Sequence, residues 1–158
     1  MPVHNIEPVY DKNSRILILG SFPSVKSREM CFFYGHPQNR FWKITSAIFN
    51  EETPETVKDK KAFLLRNNIA VWDVIESCDI TGSADSSIRN IEVNDINKIL
   101  KKSKIEKIFV NGKTAEKLYR KYLEEKTGIK AIVLPSSSPA NAAYSLDRLI
   151  KEWAIIRE

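Results

Sequence analysis

Arg15-Ile16-Leu17-Ile18-Leu19-Gly20-Ser21-Phe22-Pro23-Ser24 is the stretch on which the fold turns. Its consecutive aliphatic residues leave no polar face, so Arg15 to Leu19 reads as a strand buried on both sides. Glycine, serine and proline then break the run, and Gly20 to Ser24 reads as a loop at its carboxyl end. Three more runs share this composition: Ile69 to Val74, Ile105 to Val110 and Ala131 to Leu134. None alternates strictly, as expected of parallel strands covered on both faces.

Helical spacing fills the gaps. Phe41, Ile44, Thr45 and Ile48 form one stripe, Ala115, Leu118, Tyr122 and Leu123 a second, and Leu146, Leu149, Ile150 and Trp153 a third. Two more helices are expected over Pro54 to Arg66 and Asn94 to Lys102. Strands alternating with helices predict an α/β chain, a three-layer α/β/α sandwich around a central four-stranded parallel sheet. No repeat, linker or low-complexity segment divides residues 1-158, so one domain is expected. Phe41, Trp42 and Trp153 are expected in its core.

The 158 residues suffice for a real core, and 42% hydrophobic with 28% charged residues describes a soluble globular chain. No run is long enough to span a membrane. Met1 to Tyr10 carries no apolar stretch of signal-peptide type, so an intracellular, cytoplasmic location is expected, nucleoid-associated in a prokaryote. Two cysteines and two histidines cannot supply an iron–sulfur cluster and poorly supply zinc. Neither a metal nor another cofactor is expected, and Cys31 and Cys78 read as buried, reduced thiols. The net charge of +5 is compatible with a polyanionic partner, although dispersed lysines also read as solvated helix faces.

In open parallel sheets ligands bind outside the carboxyl ends of the strands. Here those ends carry Gly20 to Ser24, Asp73, Asn111-Gly112 and Pro135-Ser136-Ser137-Ser138-Pro139-Ala140-Asn141. Small, polar and turn-forming residues at all four ends describe a cleft rim suited to a phosphate backbone. The polar stretch Asp85-Ser86-Ser87 lies beyond the second strand, as a DNA contact or a turn cap. Gly112-Lys113-Thr114 resembles the tail of a phosphate-binding P-loop, but Lys107 stands where that motif needs its first glycine. Nucleoside triphosphate binding is therefore not expected.

Gly20-Ser-Phe-Pro-Ser, followed by Tyr34-Gly-His-Pro-Gln-Asn-Arg-Phe-Trp42, resembles the first motif of the uracil-DNA glycosylase superfamily. Leu134-Pro-Ser-Ser-Ser-Pro-Ala-Asn141 resembles its second, which enters the DNA minor groove. The likeness covers nearly the whole chain and is greatest to the hypoxanthine-DNA, or deoxyinosine, glycosylase branch. It implies a uracil-DNA glycosylase-like fold and extrusion of the damaged nucleotide into a pocket, where its base stacks on an aromatic ring. Tyr34 matches that aromatic; by itself it also reads as an ordinary half-buried tyrosine.

Asn39 matches the asparagine implied in catalysis for this branch. In related mismatch glycosylases the catalytic asparagine stands where this chain has Phe22. An asparagine carbonyl can orient a water on the sugar face, and its amide can donate hydrogen bonds. Asn39 also reads as a helix N-cap, a role compatible with catalysis. Gly20 and the backbone near Phe22 are expected at the base, although Pro23 lacks an N–H. Asn111 offers a donor and an acceptor for the N–H and carbonyl of hypoxanthine, or it is a turn residue before Gly112. His36 reads either as a base or phosphate contact or as a turn histidine. Ser136, Ser137, Ser138, Pro139, Ala140 and Asn141 are expected at the DNA, the serines on phosphates. Ala140 replaces the leucine wedge of many relatives, and Asn141 or Tyr144 is available to compensate.

The resulting expectation is a monomeric, monofunctional glycosylase that hydrolyses hypoxanthine from DNA in base-excision repair. Uracil or G·T and G·U mismatches are the alternative substrates. A non-catalytic DNA-binding module and a hydrolase of free nucleosides are the rivals from other classes. No lysine is placed as a Schiff-base nucleophile, so no lyase activity is expected.

Overall fold

Every residue of β1 (Ile16–Gly20) and β2 (Ile69–Asp73) is buried. Successive strand side chains point to opposite faces, so burial without interruption requires cover on both sides of the sheet. The computed structural model describes residues 6–158 and supplies that cover. The first half of the Met1 to Tyr10 reading lies outside the described residues.

β1 pairs in parallel with β2 and with β5 (Lys107–Asn111), and β5 pairs with β6 (Ala131–Leu134). The spatial order is β2-β1-β5-β6, which places β1 inside the sheet. The four aliphatic runs thus build the expected four-stranded parallel sheet. Helix α3 (Val57–Arg66) packs on β2, while α5 (Lys113–Tyr122) packs on β5 and β6. Helix α2 (Phe41–Ile48) packs on α7 (Leu146–Trp153). Phe41 and Trp153 are fully buried and meet edge to face, with ring centroids 5.8 Å apart. No helix among the described residues is long and apolar enough to cross a membrane.

The structure departs from the sequence reading at several points. Ile75–Asp79 and Arg89–Val93 form β3 and β4, an antiparallel pair beside the main sheet. Their pairing is irregular and β4 is largely solvated, so neither carried the long apolar run of a buried strand. Helix α1 (Val25–Met30) was hidden for the same reason: Ser27 is its one buried residue. The helix expected over Asn94 to Lys102 shortens to α4 (Ile96–Leu100), and a brief α6 (Glu124–Thr127) follows α5. Within α5, Tyr119 rather than Tyr122 is fully buried, its hydroxyl 2.6 Å from the Ile129 carbonyl.

β6 was expected to be covered like its neighbours, yet Val133 is 43% exposed because β6 is an edge strand. The opposite edge is covered by Val9, which exchanges two backbone hydrogen bonds with Val71. Cys78 is buried as expected, whereas Cys31 is exposed at the left-handed cap of α1, a helix with one buried residue. Lys60, expected in solvent, is buried with its ammonium 5.2 Å from the Trp42 ring centroid. That burial pushes its pKa down.

Candidate active site

Sheet order brings together residues distant in sequence. Gly20 is in register with Asp73 on one side, and Leu19 with Val110 on the other. Asp73, Gly20 and Asn111 therefore end three adjacent strands, spaced about 4.8 Å apart. These residues, with Phe22, Tyr34 and Asn39, line a cavity of about 150 Å³, closed on its far side by Ser136, Ser137 and Ser138. A volume of that order admits a single aromatic ring in other proteins.

Gly20 is required by this crowding. A Cβ there would stand 2.6 Å from Asp73 Oδ1 and 3.3 Å from the Tyr34 hydroxyl. Asp73 is 4% exposed, and burial pushes its carboxyl up to about 8, so it is mostly neutral at pH 7. The Tyr34 hydroxyl is buried, with the Asn111 amide and the Asp73 carboxyl beside it. Burial, and secondarily the Asp73 carboxyl, push this phenol well above its ordinary range. The Tyr34 ring stacks on Phe41, with centroids 4.1 Å apart and planes 15° from parallel. Phe41 thereby backs one face of the Tyr34 ring.

The loop from α1 to α2 is locked locally. Ser24 caps α1, the Ser27 hydroxyl accepts the Gly35 N–H at 2.8 Å, and Trp42 Nε1 donates to the Tyr34 carbonyl. His36 Nδ1 accepts the Gln38 N–H, which leaves its remaining proton on Nε2. Its carbonyl accepts the Asn39 N–H at 2.9 Å. Both bonds tie down the turn from 36 to 39, and His36 does not line the cavity.

Asn39 Oδ1 accepts the Phe41 N–H at 2.9 Å and the Ser137 hydroxyl at 2.8 Å. The backbone donor identifies this atom as oxygen. Asn39 is not the N-cap of α2, which is Arg40; it stands one residue earlier and its side chain still takes up the first N–H of the helix. Both lone pairs of its carbonyl are engaged, so the water expected on that carbonyl has no place there. Of the Asn39 side chain, the amide N–H groups are what is left to donate.

Ser137 is fully buried. Its N–H donates to Asn111 Oδ1 at 3.0 Å, and its hydroxyl accepts from Asn111 Nδ2 at 2.9 Å. Asn111, Ser137 and Asn39 thus form one chain of hydrogen bonds linking β5, the loop after β6 and α2. The expected phosphate contact of Ser137 is replaced by this internal role, because its donors point inward.

Arg40 is the second clamp, and sequence reading passed over it. Its guanidinium donates to the carbonyls of Ser138, Asn141 and Tyr144, and its N–H donates to Ser137 O at 3.1 Å. Trp153 Nε1 holds Pro135 O at 2.8 Å. Within the loop, Asn141 Nδ2 donates to Ser136 O, so Asn141 braces the turn. Pro139 and Ala140 are exposed at its tip and do not line the cavity. Helix α1 is held to the loop after β3, where Ser83 Oγ accepts the Val25 N–H and Arg28 reaches the Gly82 carbonyl. Arg28 also lies over the Phe22 ring, 5.2 Å from its centroid.

This arrangement has known counterparts. Residues 7–157 match the family model described as the uracil DNA glycosylase superfamily. The chain is 37% identical over 150 residues to the hypoxanthine DNA glycosylase of Methanosarcina acetivorans, spanning 94% of this chain and 93% of that protein. It is 34% identical over 157 residues to the hypoxanthine DNA glycosylase of Methanosarcina barkeri, spanning 98% and 97%. A uracil DNA glycosylase-like protein from M. acetivorans, solved by NMR in solution, superimposes with a TM-score of 0.84 at 34% identity, over 99% of this chain and 98% of that one. The match holds in sequence and in overall fold, and the chain belongs to the uracil DNA glycosylase superfamily.

Proposed function

We propose that this protein is a DNA glycosylase that hydrolyses the N-glycosidic bond of hypoxanthine in DNA, leaving an abasic site. The observation that carries this reading is a strand-end cavity lined by Tyr34, itself backed by Phe41, and by the Asn39 and Asn111 side chains. The names of two relatives matched over more than nine-tenths of their length supply the base.

In this reading the extruded base stacks on Tyr34, and Ser136, the Ser138 hydroxyl, Pro139 and Ala140 face the DNA. Bond cleavage builds positive charge on the sugar and negative charge on the base. The Asn39 N–H groups stabilise the departing base or fix the attacking water by donation to its oxygen. Asn39 has no basic group, so positioning and preorganised dipoles supply most of the rate. The clamps on Ser137 and the loop from 138 to 144 hold these dipoles still. The enzyme acts as a monomer of one domain, without metal or cofactor, on intracellular DNA.

Labelled duplexes containing deoxyinosine, deoxyuridine, deoxyxanthosine or a G·T mismatch test this reading, with alkali to reveal abasic sites. Deoxyinosine is expected to be cut fastest. Faster release of uracil would transfer the assignment to the uracil branch. DNA binding with no release from any duplex would leave a binding module, and turnover of free deoxyinosine a nucleoside hydrolase.

Gly20→Ala probes the cavity floor. The added methyl meets Asp73 Oδ1, so a loss of about 1–3 kcal/mol in stability is expected with at least about a tenfold loss in base release. Denaturant titration and single-turnover release measure the two. Full activity would mean that the base never reaches Gly20.

A further inference from the structure

Two loops from distant parts of the chain share one wall of the cavity. Phe22, Pro23 and Ser24 follow β1, and Ser83 lies between β3 and β4. The second loop belongs to the antiparallel pair outside the main sheet, whose register is irregular. It is braced within itself. The Ala84 N–H donates to the Thr81 carbonyl, and the Ser87 hydroxyl accepts the Thr81 N–H and donates to the Ala84 carbonyl. A loop braced in this way shifts as a unit, so its ties to the neighbouring loop decide where Ser83 stands.

Arg28 is the main tie. Its Nη2 donates to the Gly82 carbonyl at 2.7 Å and its Nε to the Pro23 carbonyl at 3.2 Å, so one guanidinium grips both loops. The same group lies over the Phe22 ring, 5.2 Å from its centroid. Arg28 makes no ion pair among the described residues, so these two carbonyls and this ring are what hold it. Beside it, Ser83 Oγ accepts the Val25 N–H at 3.0 Å as a second, weaker tie.

We propose that Arg28 is a positioning residue of the base pocket. It holds the loop from 81 to 84 against the loop after β1, and so sets the width of the cavity and the size of base that the cavity accepts. Arg28 does not itself line the cavity and acts through Phe22 and Ser83, which do. A planar fork suits this task, because it fixes two carbonyls in one geometry that a flexible ammonium does not reproduce. This inference rests on the proposed glycosylase reading and assigns the side chain that fixes one wall of its pocket.

The test compares wild type, Arg28→Ala, Arg28→Lys and Ser83→Ala in single-turnover release, with enzyme in saturating excess. Each acts on duplexes containing deoxyinosine or deoxyxanthosine, whose base carries one further oxygen at C2. Arg28→Ala is expected to release hypoxanthine about tenfold more slowly while release of xanthine holds, because a looser wall positions the smaller base poorly and admits the larger one. The preference for hypoxanthine then falls about tenfold. Arg28→Lys is expected to recover little of it, and Ser83→Ala to lower it in the same direction by a smaller factor. Limited proteolysis should cut within 81–84 faster in Arg28→Ala than in wild type. Equal losses on both bases, or an unchanged preference with the loop opened to protease, would make Arg28 a merely structural residue and overturn the inference while leaving the glycosylase standing. Should Arg28→Ala fail to fold, Arg28→Lys and Ser83→Ala decide, and an unchanged preference in both would overturn it equally. Failure of the wild type to release any base would overturn both readings.

Discussion

Asn39→Ala is expected to lower single-turnover base release by about 10²–10³-fold, the usual loss on removing one preorganised donor. DNA affinity should change far less, because binding rests mainly on backbone contacts. Alanine also removes the acceptor for the Phe41 N–H and the Ser137 hydroxyl, so about 1–2 kcal/mol of stability should go with it. Asn39→Asp separates the two effects. A carboxylate still accepts both donors but has no N–H to offer. It should recover the stability and stay as inactive as alanine. Release rates with denaturant midpoints for the three proteins decide the matter. An active Asn39→Asp enzyme would show that the amide donors are dispensable, and would reduce Asn39 to a structural acceptor.

Arg40→Ala should be the most damaging change outside the cavity lining. One guanidinium holds three carbonyls of the loop from 138 to 144, which its planar fork can reach together. Removing it should destabilise the protein by about 3 kcal/mol and loosen the loop. Looser positioning of the Ser137–Asn39 chain should lower base release by about 10²-fold. Arg40→Lys should recover little, because an ammonium lacks the planar fork. Limited proteolysis within 138–144, together with release rates, measures both parts. An Arg40→Ala protein with an intact loop and normal release would show that Trp153 and Asn111 hold the second motif alone.

Local sequence was sufficient for the sheet. Four aliphatic runs can be satisfied only by burial on both faces, and the helices between them impose parallel pairing. The loops after those runs marked where the cavity lies, at the carboxyl ends of the strands. Tyr34, Asn39 and the two motifs were legible for the same reason: each is a short pattern whose meaning lies within a few residues. The β3–β4 pair, helix α1 and the exposed Cys31 were not legible, since their segments carry no continuous apolar face.

Asp73, Arg40 and Ser137 needed the tertiary structure. The sequence puts Asp73 at a strand end on the cleft rim, but nothing adjacent marks it as buried and neutral. Its neutral carboxyl follows from strand order, which sets it next to Gly20 and away from water. Arg40 drew no reading from the sequence, and its role emerges only when α2 is placed against the loop that follows β6. Ser137 reads as a phosphate ligand until its bonds to Asn39 and Asn111, 98 and 26 residues away, turn it inward. Periodicity is a property of neighbouring residues and survives in the sequence. Burial and hydrogen-bond partners at a strand end are set by whichever strand or loop lies alongside, and only the folded chain brings those neighbours together.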